Sequence, residues 1–180
     1  LDIDLADRLV DLIGEGFDMA LRIGTLRDST LVARKLGSTN MSVVAAPSLV
    51  ASHGQPRSPE DIVEWPALCY VGSERADIWR FRRPTGEDGS VQMTVRMRAN
   101  NGNVLAAAAA QGLGVTFQPD FIVERHLTSG ALVKVLDDHD WPALSLYAVY
   151  PQTRHLSVKA RAFIDFLRDR LAETVRPALS

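Results

Sequence analysis

The residues best equipped to hold a ligand sit together in Asn100-Asn101-Gly102-Asn103, followed by Val104-Leu105 and the alanines 106 to 110. Asparagine oxygens ahead of such a run can accept hydrogen bonds from the free N–H groups of a first helical turn. Five consecutive alanines favour helix and add almost no bulk, so the helix can lie close against a sheet. Gly112 fits the left-handed residue that stops a helix, Leu113 folds back over it, and Val115 to Phe117 then read as a buried strand. A capped helix start with nothing large in front of it can seat an anion or a polar small molecule on backbone N–H groups. The same residues can equally do no more than cap and pack.

Other chemistry finds little support. His53, His126, His139 and His155 lie in separate turns or helix ends with no i, i+4 pair and no neighbouring thiolate, which argues against zinc. Gly112-Leu113-Gly114 lacks a third glycine and stands at a helix end, so it is no nucleotide fingerprint. There is no Walker loop and no Gly-x-Ser-x-Gly elbow, and the serines lack an evident histidine and acid partner. The expectation is a protein with no catalytic constellation, no metal and no cofactor. Arg22, near a strand end, could clamp a ligand carboxylate or pair with Asp7, Asp11 or Asp28. Gln118 could offer its amide to a ligand in the same crevice as Asn101, or bond to neighbouring backbone. Trp79 and Trp141 could line a cleft or pack between strands.

The elements that must position these residues follow from periodicity. Leu1 to Leu5 alternates as a strand and 7–14 reads as a short helix capped by Asp7. Phe17 to Gly24 is the next strand, with a polar turn from Thr25 to Thr30 at its carboxyl end, where ligands of α/β sheets usually lie. Leu31 to Leu36 and Met41 to Ala46 are extended, joined across 37–40. Pro47-Ser48 opens a helix that ends at His53-Gly54, and 56–61 caps a second brief one. Trp65-Pro66 marks a change of character and the expected lobe boundary. Beyond it, Leu68 to Val71 is a strand, and Ile78 to Phe81 pairs with Val91 to Met97 around the turn 83–89. A helix at 120–127, strands at 132–136 and 144–150, and a final helix capped by Ser157 complete the pattern. In that helix Ala160, Phe163, Ile164, Leu167 and Leu171 share one face.

Composition is that of an ordinary globular chain: 180 residues, 46% hydrophobic, 23% charged, formal net charge -2. The balance gives no sign that this piece itself grips a phosphate backbone or an acidic membrane. Cys69, the only cysteine, reads as a structural thiol in a strand. No apolar run approaches a membrane span. The chain opens at Leu1, without Met and inside an alternating segment, and is expected to be a fragment.

Several runs, taken in order, resemble the effector-binding domain of the LysR-type transcriptional regulators. They are 7–12, Gly16-Phe17-Asp18-Met19-Ala20-Leu21-Arg22-Ile23-Gly24-Thr25-Leu26, 31–37, Ala45-Ala46-Pro47-Ser48-Leu49, His53-Gly54-Gln55-Pro56, Ala99-Asn100-Asn101-Gly102, Gly112-Leu113-Gly114-Val115 with Pro119, and Tyr150-Pro151 ahead of 162–167. Each alone is weak, but their collinearity covers nearly the whole chain. The resemblance implies an α/β fold of two Rossmann-like subdomains joined by two crossover strands, similar to type 2 periplasmic binding proteins, with an effector in the cleft between them. Subdomain I would be 1–66 and 146–180, and subdomain II 67–145. The effector-binding residues it implies are Gly24, Thr25, Leu26, Ser29, Pro47, Ser48, Asn100, Asn101, Gly102, Asn103, Phe117 and Gln118.

It also implies a winged helix-turn-helix, a linker helix and a first strand and helix of the sensor, all ahead of Leu1. The function expected is ligand sensing by a cytoplasmic transcription factor, a homodimer or higher homo-oligomer whose only DNA contact is through that upstream domain, with a small and possibly anionic effector. A rival is an extracytoplasmic solute-binding protein of a transporter, which would share fold and pocket. An enzyme on this fold would need a reactive group in the cleft.

Overall fold

The computed structural model describes residues 1–6, 8, 10–24, 31–71, 75–152 and 157–174. The chain forms two compact units, one of residues 1–39 and 143–180 and one of Asn40–Pro142.

The first unit holds β1 (Ala20–Ile23), β2 (Leu31–Thr39), β10 (Leu144–Pro151) and α4 (Val158–Thr174), with strand order β1-β10-β2 and both pairings antiparallel. The apolar stripe expected on the last helix packs onto this sheet: Ile164 is fully buried with Leu36 and Ala148, and Leu146, Leu167 and Leu171 flank them. Ser157 caps α4 through its Oγ, which accepts from the Ala160 N–H at 3.2 Å.

Two expectations at the start of the chain fail. Leu1, Ile3 and Leu5 are 93%, 67% and 91% exposed and form no strand, because alternation yields a strand only where a partner ladder exists, and none is present for them among the described residues. Residues 12–16 are turns rather than helix. The capping side chain there is Asp11, whose Oδ1 accepts from Ile13 and Gly14 N–H at 3.1 Å each; Asp7 lies outside the described residues.

The second unit is built on a five-stranded sheet of order β7-β4-β8-β3-β9, made of β3 (Met41–Ala45), β4 (Ala67–Tyr70), β7 (Val95–Ala99), β8 (Val115–Pro119) and the short β9 (Val133–Lys134). β7, β4 and β8 run parallel, and β3 is antiparallel to β8. Helices α2 (Gly102–Ala110) and α3 (Asp120–Thr128) cover one face, where Leu105, Ala106, Ala109 and Val123 bury against Val44 and Leu68. The other face carries the larger core of Val43, Leu49, Ile62, Trp65, Trp79, Phe81 and Trp141. Both tryptophans weighed in the sequence are thus packing residues, 3% and 7% exposed.

The antiparallel pair expected from 78–81 and 91–97 is differently made. β5 (Ile78–Arg82) pairs with β6 (Asp88–Gln92), while Val95 onward leaves the hairpin to lie parallel to β4. The lobe boundary also differs: it falls after Thr39 rather than at Trp65-Pro66, because β3 hydrogen-bonds to β8 and β9 and so carries 40–66 into the second unit. Composition changes at Trp65, but the ladder decides membership.

Candidate functional site

Three parallel strands of the second unit end on one edge of its sheet, and antiparallel β3 begins there. Carboxyl ends of parallel strands are where α/β sheets receive ligands, since loops and helix starts gather there with their N–H groups facing out. This edge carries Tyr70-Val71 after β4, Asn100-Asn101 after β7, Gln118-Pro119 ending β8, and Met41-Ser42. The Val71 N–H donates to Ala99 O at 2.8 Å and ties two of the endings together.

Asn101 caps α2. Its Oδ1 accepts from Asn103 N–H at 3.0 Å and from Val104 N–H at 3.2 Å. Two first-turn donors are therefore spent inside the protein, and the Gly102 N–H stands outside this cap. The open row of amides expected at this start is narrower than the sequence suggests. Asn100 and Asn103 are exposed beside it, and Val104 is about half exposed.

Below the helix start runs a line of buried polar groups. Thr116 Oγ1 donates to Leu68 O at 2.8 Å, and Gln118 Nε2 donates to Thr116 Oγ1 at 3.0 Å. Because the Thr116 proton is committed to a carbonyl, its oxygen can only accept, which fixes the orientation of the Gln118 amide. The Gln118 Oε1 then faces Gly102, and a Cβ built there would stand 2.8 Å from it. Gln118 is 2% exposed. Its amide nitrogen thus donates to a neighbouring side chain, not to the neighbouring backbone that was one of the two uses weighed for this amide. Across the β3–β8 ladder from Gln118, buried Ser42 donates to Asp120 at 2.5 Å.

Three of the expected residues, Pro47, Ser48 and Phe117, stand apart from this edge or face away from it. Ser48 Oγ lies 3.1 Å from where a Cβ of Gly112 would be, at the far end of α2, so Pro47-Ser48 and Asn101 occupy opposite ends of a helix roughly 13 Å long. The reason is the antiparallel run of β3, which delivers its last residue to the edge where β8 begins. The Phe117 ring points to the opposite face of the sheet from Gln118, as strand alternation requires, and packs at 5.6 Å from Trp79 and 5.2 Å from Trp141.

In the first unit Gly24 ends β1 at φ +122, a backbone conformation suited to glycine, and its N–H donates to Ser145 O at 2.9 Å. Thr25, Leu26 and Ser29 lie outside the described residues. Arg22 Nη2 donates to Val10 O at 3.1 Å, a backbone partner that neither reading of this arginine contained.

Tyr70 and Val71, 38% and 48% exposed, belong to the same edge and were not singled out in the sequence. The run 68–71 reads plainly as a strand, but nothing in it tells that β7 and β8 flank it in parallel. Cys69, 2% exposed, is a core thiol whose pKa burial pushes up, the opposite of nucleophile activation. Among the described residues no three His, Cys, Asp or Glu side chains converge on a metal position. The edge offers one outward N–H at the positive end of a helix and one buried carbonyl acceptor beneath it. Such groups suit recognition of a polar small molecule.

A two-unit α/β architecture with a recognition edge of this kind defines a class of small-molecule-binding domain. Comparison with known proteins narrows it: residues 1–172 match the family model of the LysR substrate binding domain, and the chain belongs to that family. It is 34% identical over 176 residues to the HTH-type transcriptional regulator DmlR of Escherichia coli, covering 96% of this chain and 56% of that protein. An uncharacterised HTH-type transcriptional regulator of Haemophilus influenzae is 32% identical over 159 residues, 88% of this chain and 55% of the relative. The chain thus spans about half the length of the curated relatives it matches.

Among solved structures, the CrgA regulatory domain of Neisseria meningitidis, a LysR-type transcriptional regulator, superposes with a TM-score of 0.78 at 28% identity, over 91% of this chain and 79% of that one. Full-length AphB, a virulence activator of Vibrio cholerae, gives 0.77 at 29%, over 94% and 57%. The family is one of transcriptional regulators, not enzymes, and its regulatory domains have the two-subdomain fold of periplasmic binding proteins.

Proposed function

We propose that this domain is the sensor of a homodimeric, cytoplasmic LysR-type regulator whose helix-turn-helix, elsewhere in the full protein, makes the DNA contact. The observation that carries the ligand site is the edge where β7, β4 and β8 end, with the Asn101-capped start of α2 above the Gln118 amide. Asn100, Asn101, Gly102, Asn103 and Gln118 are the binding residues proposed there, and Tyr70 and Val71 join them. A small polar effector seated on this edge would act on transcription only through a difference in its affinity for two conformations of the protein. By the family resemblance, Thr25, Leu26 and Ser29 are proposed as further binding residues.

The test is a thermal-shift screen of the intact regulator against a metabolite library, followed by promoter-DNA binding with each hit. A ligand at one hundred times its Kd adds about 2.7 kcal/mol of stability. The reading requires at least one hit that also changes the affinity for operator DNA. A library with no hit, or hits that leave DNA binding untouched, would count against it.

A further inference from the structure

Resting on that sensor reading, we propose that the effector presents a hydrogen-bond donor beside an anionic or acceptor group, as a 2-hydroxy or 2-amino carboxylate does, and that Gln118 Oε1 receives the donor.

The argument turns on which end of the Gln118 amide is free. The chain of donors from Gln118 Nε2 to Thr116 Oγ1 to Leu68 O engages one of the two amide protons and sets the direction of the group. Oε1 has no hydrogen-bond partner among the described residues. Among those residues, no buried polar side-chain atom fully shut off from solvent lacks a partner. Oε1 is therefore not completely shut off from solvent, although the residue as a whole is 2% exposed. A carbonyl oxygen held this way, without rotational freedom and with little water around it, is a strong and selective acceptor.

Its position matters as much as its chemistry. Oε1 lies against Gly102, the first residue of a nine-residue helix, and Gly102 N–H is the first-turn donor that Asn101 leaves unused. Acceptor and donor thus stand side by side, with the positive end of the helix on the donor side. A simple carboxylate satisfies Gly102 N–H and brings a second lone-pair-bearing group toward Oε1, which repels it. A carboxylate with a neighbouring hydroxyl or ammonium satisfies both. Gly102 itself has no Cβ to fill the space between them.

The test uses the full-length regulator in calorimetric titration and thermal shift. The probes are short 2-hydroxy and 2-amino carboxylates, each beside the same acid without the 2-substituent, within a general metabolite library. The expected result is binding of a donor-bearing acid at least about tenfold tighter than its unsubstituted counterpart, the cost of leaving a buried acceptor unmet. Gln118→Met removes the acceptor at similar volume and should erase that preference, so that in the variant both members of each pair bind alike. Gln118→Glu keeps an acceptor and should shift preference toward the 2-amino acid. Equal binding of both members of each pair overturns the inference, as does a preference that survives Gln118→Met or hits confined to compounds without a donor. In those cases the sensor reading stands, whereas a library with no hit at all sinks both.

Discussion

Gly114 and Pro66 meet backbone to backbone. A Cβ built on Gly114 would fall inside contact distance of the Pro66 carbonyl oxygen and at 3.0 Å from Leu68 Cδ2. The next residue, Val115, donates its N–H to the same Pro66 oxygen at 2.9 Å, so β8 enters the sheet through a gap with no space for a side chain. Gly114→Ala should therefore destabilise the protein by about 1–3 kcal/mol, the range of overpacking against atoms that cannot rotate away. Chemical denaturation of the two proteins measures it, and a difference near zero would show that the strand can shift.

Thr116 is fully buried and its hydroxyl both donates and accepts. Thr116→Val keeps the shape but strands the Leu68 carbonyl and the Gln118 amide. The expected loss is about 1–3 kcal/mol of stability, with weakened effector binding, because Gln118 loses the contact that orients it. Equilibrium unfolding and ligand titration on one variant separate the two effects.

Asn101→Ala should cost about 1 kcal/mol, since Asn103 and Val104 N–H lose their acceptor. Asn101→Asp should match or exceed the parent at neutral pH, because a carboxylate caps equally well and also faces the positive helix end. Thermal unfolding of the pair decides, and equal losses in both would mean the asparagine acts through something other than capping.

Glu15 is held at a pKa of about 2 by its hydrogen bonds from the Arg8 guanidinium, with the Asp11 N–H adding to the effect. A depressed folded value means the contribution to stability is complete above the ordinary carboxylate value of 4.5 and is lost as pH falls toward 2. Carboxyl-carbon NMR titration should find Glu15 titrating near that low value, and Arg8→Met should return it to the ordinary range. Because the group is solvent-exposed, global stability should change little between the two proteins.

What could be read from the sequence was local. The alanine helix with its Asn101 cap and Gly112 stop, the Ser157-capped last helix with Ile164 on its inner face, and the Pro47 helix start all depend on residues within a turn of one another. What could not be read was pairing. The alternation of Leu1 to Leu5 is a strand only if a neighbour supplies a ladder, and Val91 and Val95 look like one strand although they join different sheets. The site followed the same division: Asn101 and Gln118 came together because a capped helix start and a strand end are local signals. Pro47-Ser48 stands at the opposite edge from Asn101 because the direction of β3 is set by β8, more than seventy residues away along the chain.

Thr39 and Leu144 are direct partners across β2 and β10. The chain therefore leaves the first unit for Asn40 and returns at Ala143 through a doorway one strand spacing wide. Everything between those points is a single uninterrupted loop-out, the arrangement in which a stretch can be exchanged between related proteins without disturbing the ladder that anchors it. The ligand preference proposed for Gln118 and Gly102 would in this way be traded as one cassette, while the host sheet of β1, β10 and β2 stays as it is.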